Sequence, residues 1–369
     1  MKKFFAVLLA VVMILGCVSA LAEGEKIALV TDVGTIDDES FNQACWQAVE
    51  AFAIENDVEY TYYQPNADSL DARLMSIDQA VTEGASVIVM PGYLFGATLV
   101  TAQDKYPDVK FIAVDVSAGD LTVDYTNYVE PAANVVCVTF SEEQAGFLAG
   151  YAAVKDGYTK LGFLGGMAVP AVIRYGYGFV QGADKAAAEL DKQIEINYTY
   201  GGQFFGDAAI TAKMEGWYST GTEIVFACGG GIYTSAVEAA NKYNGKVIGV
   251  DVDQSGTIDG QYGAGMTVTS AMKGLAPTVK TMLAAVQSGS FASMAGKVEN
   301  LGLVSANPDD NYVQLPSATT QFGDGFTAED YANLVADMFA GKITVSNDTS
   351  IAAADNAKVI TVNDQGNLK

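Results

Sequence analysis

Short apolar runs recur along this chain, and each leads into a stretch with helical spacing. Residues 27–30, 58–63, 86–90 and 110–115 are four such runs. Between them Phe41, Cys45, Val49 and Phe52 recur at helical intervals, as do Leu70, Leu74, Ile77 and Val81. Ser69 stands where a helix cap belongs and Gly84 where that helix should stop. Continuous apolar runs mark strands buried on both faces, and strands alternating with helices make a parallel α/β sheet. The pattern then restarts. Residues 135–140, 161–164, 194–200, 224–228 and 246–251 read as strands; 142–153, 170–190, 207–218 and 233–243 read as helices. KFIAVD and KVIGVD close the two halves in matching positions. A chain of 369 residues can bury two cores. No low-complexity linker separates the halves, so they are expected to form a hinged pair. Beyond them a helix is predicted over 269–287, short strands over 302–304 and 312–315, a helix over 327–339 and an edge strand over 359–362. The tail after Asn363 is expected to be disordered.

The bulk chemistry removes several function classes. Lys and Arg total 20 against 44 Asp and Glu, a net charge of −24. Without a basic footprint to neutralise phosphates, nucleic acid is excluded as a partner. The absence of His removes the commonest general base, the commonest metal ligand and the Ser-His and Cys-His nucleophile pairs. Cys17, Cys45, Cys137 and Cys228 show no C-x-x-C spacing, so no thiolate metal site and no cofactor are predicted. The last three lie in apolar patterns and read as buried thiols. Lys2-Lys3 followed by the apolar run 4–16 reads as a secretion signal, too short for a typical spanning helix. Two exits compete. Ala20-Leu21-Ala22 would make 1–22 a signal peptide and release a soluble protein; Ile14-Leu15-Gly16-Cys17 resembles a lipoprotein box that would lipidate Cys17. The first fit is the cleaner. Either way the protein is exported, and membrane contact is expected only through such an anchor.

Four acids stand at carboxyl ends of predicted strands: Asp32, Asp115, Asp251 and, two residues later, Asp253. Open α/β sheets bind ligands at these ends. An acid there commonly caps the next helix instead; one in each half strengthens the binding reading. A carboxylate accepts two hydrogen bonds side by side, which suits a sugar diol. Phe41 opens the first helix beside Asn42, a position where an aromatic is more often core than ligand stack. Asp37, Asp38 and Glu39 just before it read as the acids that cap and orient that helix. Phe204 and Phe205 follow Gly201-Gly202 in a strand-to-helix loop, where burial is less obligatory. Lys273, placed in the first turn of the predicted 269–287 helix, opposes its dipole and implies an acidic partner. Gly229-Gly230-Gly231 opens a helix but lacks the Lys-Ser/Thr of a phosphate loop and the dinucleotide spacing. It reads as close backbone approach to an uncharged ligand.

VTDVGTIDDESFNQ, VIVMPG, the Asp115 strand end, VPAVIRYGYGFVQGA, FACGGG, GVDVDQS and TSAMK occur in the order found in the basic membrane protein (BMP) family. The chain resembles that family from about residue 26 to 303. Its members are substrate-binding proteins of ABC importers, not enzymes, and characterised ones resemble purine nucleoside receptors. The resemblance implies a type I periplasmic-binding fold, two Rossmann-like lobes with parallel sheets joined by a hinge. Lobe 1 would hold 23–135 and about 253–295; lobe 2 would hold 136–252 and about 296–362. It also implies that Phe41 stacks on one face of a base and Phe205, or its neighbour Phe204, on the other. Asp32 and Asn42 would meet the base edge, and Asp115, Asp251 and Lys273 the ribose hydroxyls. Gly229 and Gly230 would line the pocket through backbone. The implied partners are a nucleoside and the permease subunits, and the implied state is a monomer. Two rival readings are a receptor for another diol, such as a sugar, and a carboxylate-dependent nucleoside hydrolase. For the second, Asp32, Asp37 and Asp38 lack the spacing of a metal loop.

Overall fold

The apolar runs form two parallel sheets with the same strand order. The computed structural model describes residues 25–32 and 34–368. The leader, with Cys17 and the cleavage site at 20–22, lies outside the described residues. The first sheet holds β1 (Lys26–Val30), β2 (Glu59–Tyr63), β3 (Ala85–Pro91), β4 (Lys110–Val114) and β5 (Val135–Phe140), in the order β2-β1-β3-β4-β5. The second holds β6 (Lys160–Gly165), β7 (Glu195–Tyr200), β8 (Ile224–Cys228), β9 (Lys246–Asp251) and β10 (Thr267–Lys273), in the order β7-β6-β8-β9-β10. β11 (Lys297–Leu301) extends the first sheet beyond β5; β12 (Val313–Gln314) and β13 (Thr361–Asn367) extend the second. Each order reverses beside its first strand, which makes a switch point between β1 and β3 and another between β6 and β8.

The chain forms two compact units. Trp46–Cys137 and Ala276–Val298 join the first strand in unit 1; Gly34–Cys45, Val138–Leu275 and the chain from Glu299 make unit 2. Residues 253–275, expected in the first lobe, therefore belong to unit 2, because β10 pairs in parallel with β9. In unit 1, Ala28, Val30, Ile88, Met90, Phe111 and Ala113 alternate along three strands and pack on Ile77, Phe95 and Leu99. Those last three come from α2 (Leu70–Thr82) and α3 (Phe95–Lys105), which follow α1 (Phe41–Asn56). The Ser69 hydroxyl accepts from Ala72 N at 3.2 Å, the expected cap of α2. In unit 2, Leu164, Val225, Ala227 and Val247 pack on Ile210, Trp217 and Val237. The helices there are α4 (Glu142–Lys155), α5 (Pro170–Leu190), α6 (Ala208–Ser219), α7 (Tyr233–Tyr243), α8 (Ser255–Tyr262) and α10 (Ala328–Phe339), with α9 (Leu275–Gln287) running into unit 1. The glycine-rich α4 packs closely, as expected. Gly146 and Gly150 face backbone carbonyls of α5, Gly178 and Gly182 face those of α4, and a Cβ at any of the four would collide. Cys45, Cys137 and Cys228 are buried thiols; burial pushes the Cys137 thiol up to about 12.

Three expectations fail. Residues 269–273 are strand, not helix, so Lys273 ends β10. Thr267, Val268 and Thr269 favour a strand, and Pro277 suits only the first turn of a helix, which begins at Leu275. The predicted strand at 302–304 is instead β11, ending at Leu301. The tail is ordered: β13 pairs in parallel with β7 through Thr361–Asn367. On the way there the chain is tied to one face of α5. Tyr177 donates to Ile351 O at 2.7 Å, and the Asp184 carboxylate accepts from the N–H groups of Lys358, Val359 and Ile360 at 2.8, 2.7 and 3.2 Å.

Candidate functional site

The candidate residues divide between the units. In unit 1, Asp32 lies just beyond β1 and is buried, 8% exposed. Gly92, just beyond β3, has φ +124, and a Cβ there would come 2.6 Å from Asp32 Oδ2. Only glycine lets the backbone lie against that carboxylate. The Tyr93 phenol is raised, first by burial and then by the charges of Asp68 and Asp32. Asp115 follows β4 with φ +61.

Unit 2 holds the larger group. Asp251 ends β9 with φ +66, the same left-handed backbone as Asp115. Non-glycine residues in this region of backbone space are uncommon, although Asp is enriched among them. Asp251 accepts from the Ser40 hydroxyl at 2.7 Å, and its Oδ1 lies 3.7 Å from Lys273 Nζ and 3.5 Å from the Tyr175 hydroxyl. It caps no helix. Asp253, one residue before the N-cap position of α8, accepts from Ser255 N at 3.0 Å and from the Thr319 hydroxyl at 2.7 Å, so its carboxylate serves local structure. Lys273 Nζ also lies 3.4 Å from Glu142 Oε1, and Glu142 Oε2 accepts from Arg174 Nε at 2.6 Å. The Phe41 ring faces the Lys273 ammonium at 4.7 Å, with Phe140 and Tyr175 at 5.6 and 5.8 Å. Phe41 is thus half-buried against a cation rather than packed in the core.

The loop before Phe41 is held as its acids suggested. The Asp38 carboxylate accepts from the N–H groups of Ser40, Asn42 and Gln43 at 3.0, 3.0 and 3.1 Å. Burial pushes its pKa up to about 6, against the pull of those three donors. Asn42 is buried beside it, its amide 3.5 Å from Asp38 Oδ2. At the unit 2 switch point Gly229 and Gly230 have φ +147 and +51. A Cβ at Gly229 would lie 3.0 Å from Gly166 Cα and 3.1 Å from the Phe204 ring, and one at Gly230 3.9 Å from Asp38 Oδ2. Phe204 therefore rests on glycine backbone, whereas Phe205 is 62% exposed.

The structure brings Phe41, Asn42, Asp251 and Lys273 together in unit 2 and keeps Asp32 and Asp115 with unit 1. Sequence reasoning missed Ser40, Glu142 and Arg174. Glu142 carried a usable signal, since it follows the buried run VVCVTF and is a further strand-end acid. Arg174 is one of only two arginines, and both are paired to carboxylates. Among the described residues no cluster of three or more His, Cys, Asp or Glu is arranged to hold a metal.

Similarity to known proteins now decides the family. The profile of the PnrA-like ABC transporter substrate-binding proteins (Bmp) matches residues 25–314. The chain belongs to this family. Such proteins bind solutes outside the cytoplasm and are not enzymes. Among the described residues no helix is long and apolar enough to cross a membrane. This PnrA-like chain is 28% identical over 363 residues to the ABC transporter nucleoside-binding protein BmpA of Lactococcus lactis subsp. cremoris, 92% of this chain and 96% of that one. It is 31% identical over 260 residues to basic membrane protein A of Borreliella burgdorferi, 69% of this chain and 72% of that one. An ABC transporter solute-binding protein from Aeropyrum pernix has a TM-score of 0.67 at 22% identity over 90% of both chains. One from Conexibacter woesei has a TM-score of 0.64 at 21% identity, over 88% of this chain and 99% of that one. These likenesses show the type I periplasmic-binding fold.

Proposed function

We propose that this chain is a receptor for nucleosides, purine nucleosides first, that acts as an exported monomer and delivers its ligand to an ABC permease. The observation that carries the reading is the grouping of Phe41, Asp251 and Lys273: a π face, a buried carboxylate at a strand end and a cation held beside both. A nucleoside offers a flat base and a vicinal diol, which complement an aromatic ring and a carboxylate. In this reading Phe41 and Phe205 take the base faces, with Phe204 as the alternative to Phe205. Asn42 takes the base edge, Asp251 and Lys273 take ribose hydroxyls, and Gly229 and Gly230 line the ligand through backbone. Asp32 and Asp115 of unit 1 are proposed as further acceptors. The name of the Lactococcus relative supports the ligand class. The Lys273 ammonium already lies between the Glu142 and Asp251 carboxylates, which would repel a phosphate brought to it, so nucleotides are expected not to bind.

A thermal-shift panel of inosine, guanosine, adenosine, their free bases, inosine monophosphate and simple sugars tests this. Purine nucleosides should stabilise the chain, by about 2.7 kcal/mol at one hundred times Kd. Stabilisation by a sugar with none by any nucleoside would overturn the reading in favour of a sugar receptor. Release of free base from inosine would point to a hydrolase instead. Asp251→Ala should weaken nucleosides and spare free bases; equal loss of both contradicts the ribose role.

A further inference from the structure

We infer that Glu142 is a positioning residue: it holds the Lys273 ammonium off Asp251 and so keeps the Asp251 carboxylate available to a ligand diol. The inference rests on the nucleoside reading above and assigns a role to a residue that makes no proposed ligand contact.

Glu142 is fully buried, in the first turn of α4, directly after β5. A buried carboxylate persists as an ion only with compensating charge. Two cations provide it: Arg174 on one oxygen at 2.6 Å, and Lys273 on the other at 3.4 Å. Lys273 stands 3.7 Å from Asp251, so the ammonium is suspended between two carboxylates and collapses onto neither. A charge-assisted contact closes to about 2.7–2.9 Å when nothing opposes it. The Phe41, Phe140 and Tyr175 rings also face the ammonium, and the second carboxylate adds a full opposing charge to their pull. Glu142 and Asp251 against Lys273 and Arg174 also sum to no formal charge, which suits a neutral ligand. Without the Glu142 charge the ammonium would close on Asp251 and occupy its Oδ1. Without Arg174 the undivided charge of Glu142 would draw Lys273 the other way, away from a diol. Both changes should harm diol recognition while leaving base recognition intact.

The alternative role is structural: Arg174 and Glu142 also bridge α5 and α4. The two roles separate on a pair of probes that differ only in the diol, inosine and 2′,3′-dideoxyinosine. Their dissociation constants would be measured calorimetrically for wild type, Glu142→Gln and Arg174→Gln. The expected result is loss of about tenfold in inosine affinity for Glu142→Gln, a smaller loss for Arg174→Gln, and dideoxyinosine affinity within about twofold of wild type in both. Arg174, on the more accessible side of the pair, keeps the test decisive if Glu142→Gln does not fold. Equal loss of both probes, or no loss of inosine in either variant, overturns the positioning role. Wild type that binds neither probe overturns the nucleoside reading instead.

Discussion

The two units run the same strand order, and Asp115 and Asp251 end matching strands with φ of +61 and +66. What surrounds that shared frame differs. Asp251 is 5% exposed and lies within an array of buried charge, with Lys273, Glu142 and Arg174, whereas Asp115 is half-buried. The helix pairs differ in the same sense. In unit 2, α4 and α5 meet through four glycines that face backbone carbonyls. In unit 1, α2 and α3 are tied at the surface, where Asp78 accepts from Lys105 Nζ at 2.8 Å and the Tyr106 hydroxyl at 2.7 Å. Topology places an acid at the strand end in both units. Close helix contact through glycine accompanies the Lys273, Glu142 and Arg174 array of unit 2, where carboxylates must keep fixed positions without solvent to stabilise them.

The largest expected effect breaks that packing. Gly178→Ala puts a Cβ into the Glu143 carbonyl. It should destabilise the full chain by about 3 kcal/mol in urea titrations, as overpacking in a rigid contact does. Helix propensity alone predicts the opposite sign, by about 1 kcal/mol. Gly216→Ala in α6 is the control, because a Cβ there meets nothing within 4 Å. If both variants gain stability, the glycine contact is not what holds the two helices.

The next effect sharpens the contrast in buried charge. Burial raises the Glu143 carboxyl to about 7, and neighbouring Glu142 adds to the rise. The folded state then holds this proton more tightly than the unfolded chain does. Its contribution is fully present below about pH 4.5 and is lost as pH rises through about 7. Glu143→Gln should therefore be more stable than wild type above pH 7, by an amount on the order of 2–3 kcal/mol, with the difference vanishing in acid. Chemical denaturation at pH 4, 6 and 8 measures it. A difference that does not change with pH would mean that Glu143 titrates normally.

Much of this was legible in the sequence because it rests on local pattern. Buried runs in a parallel sheet are continuous and apolar, so β1, β3, β4, β6, β8 and β9 stood out, and α5 was placed at both ends. Lys273 was misplaced for a physical reason: Met272, Leu275, Val279 and Met282 keep helical spacing across a strand-to-helix junction, and periodicity does not register the break at Gly274. The pattern identified Asp251 as a candidate but not its partners. Ser40 and Glu142 lie 211 and 131 residues from Asp251 and Lys273, their respective partners, so no spacing rule connects them. The edge strand predicted over 359–362 catches only the start of β13, because TVNDQGN has no apolar run; the order of the rest comes from pairing with β7 and from the Asp184 clamp.

The smallest effect belongs to unit 1. Partial burial raises the Asp78 pKa, but the hydrogen bonds from Lys105 and Tyr106 outweigh it, and the net shift is downward. The stability this contributes is present above the ordinary carboxylate range and is lost as pH falls through the lowered value. Both charged side chains are largely exposed, 40% for Asp78 and 46% for Lys105, so water and salt screen the pair. Asp78→Ala should therefore cost less than about 1 kcal/mol at pH 7, and raising the salt should shrink that loss further. If the loss instead matches that of Gly178→Ala and does not respond to salt, then α2 and α3 depend on this tie as strongly as α4 and α5 depend on their glycines. The contrast between a surface-tied unit and a close-packed one would then be wrong.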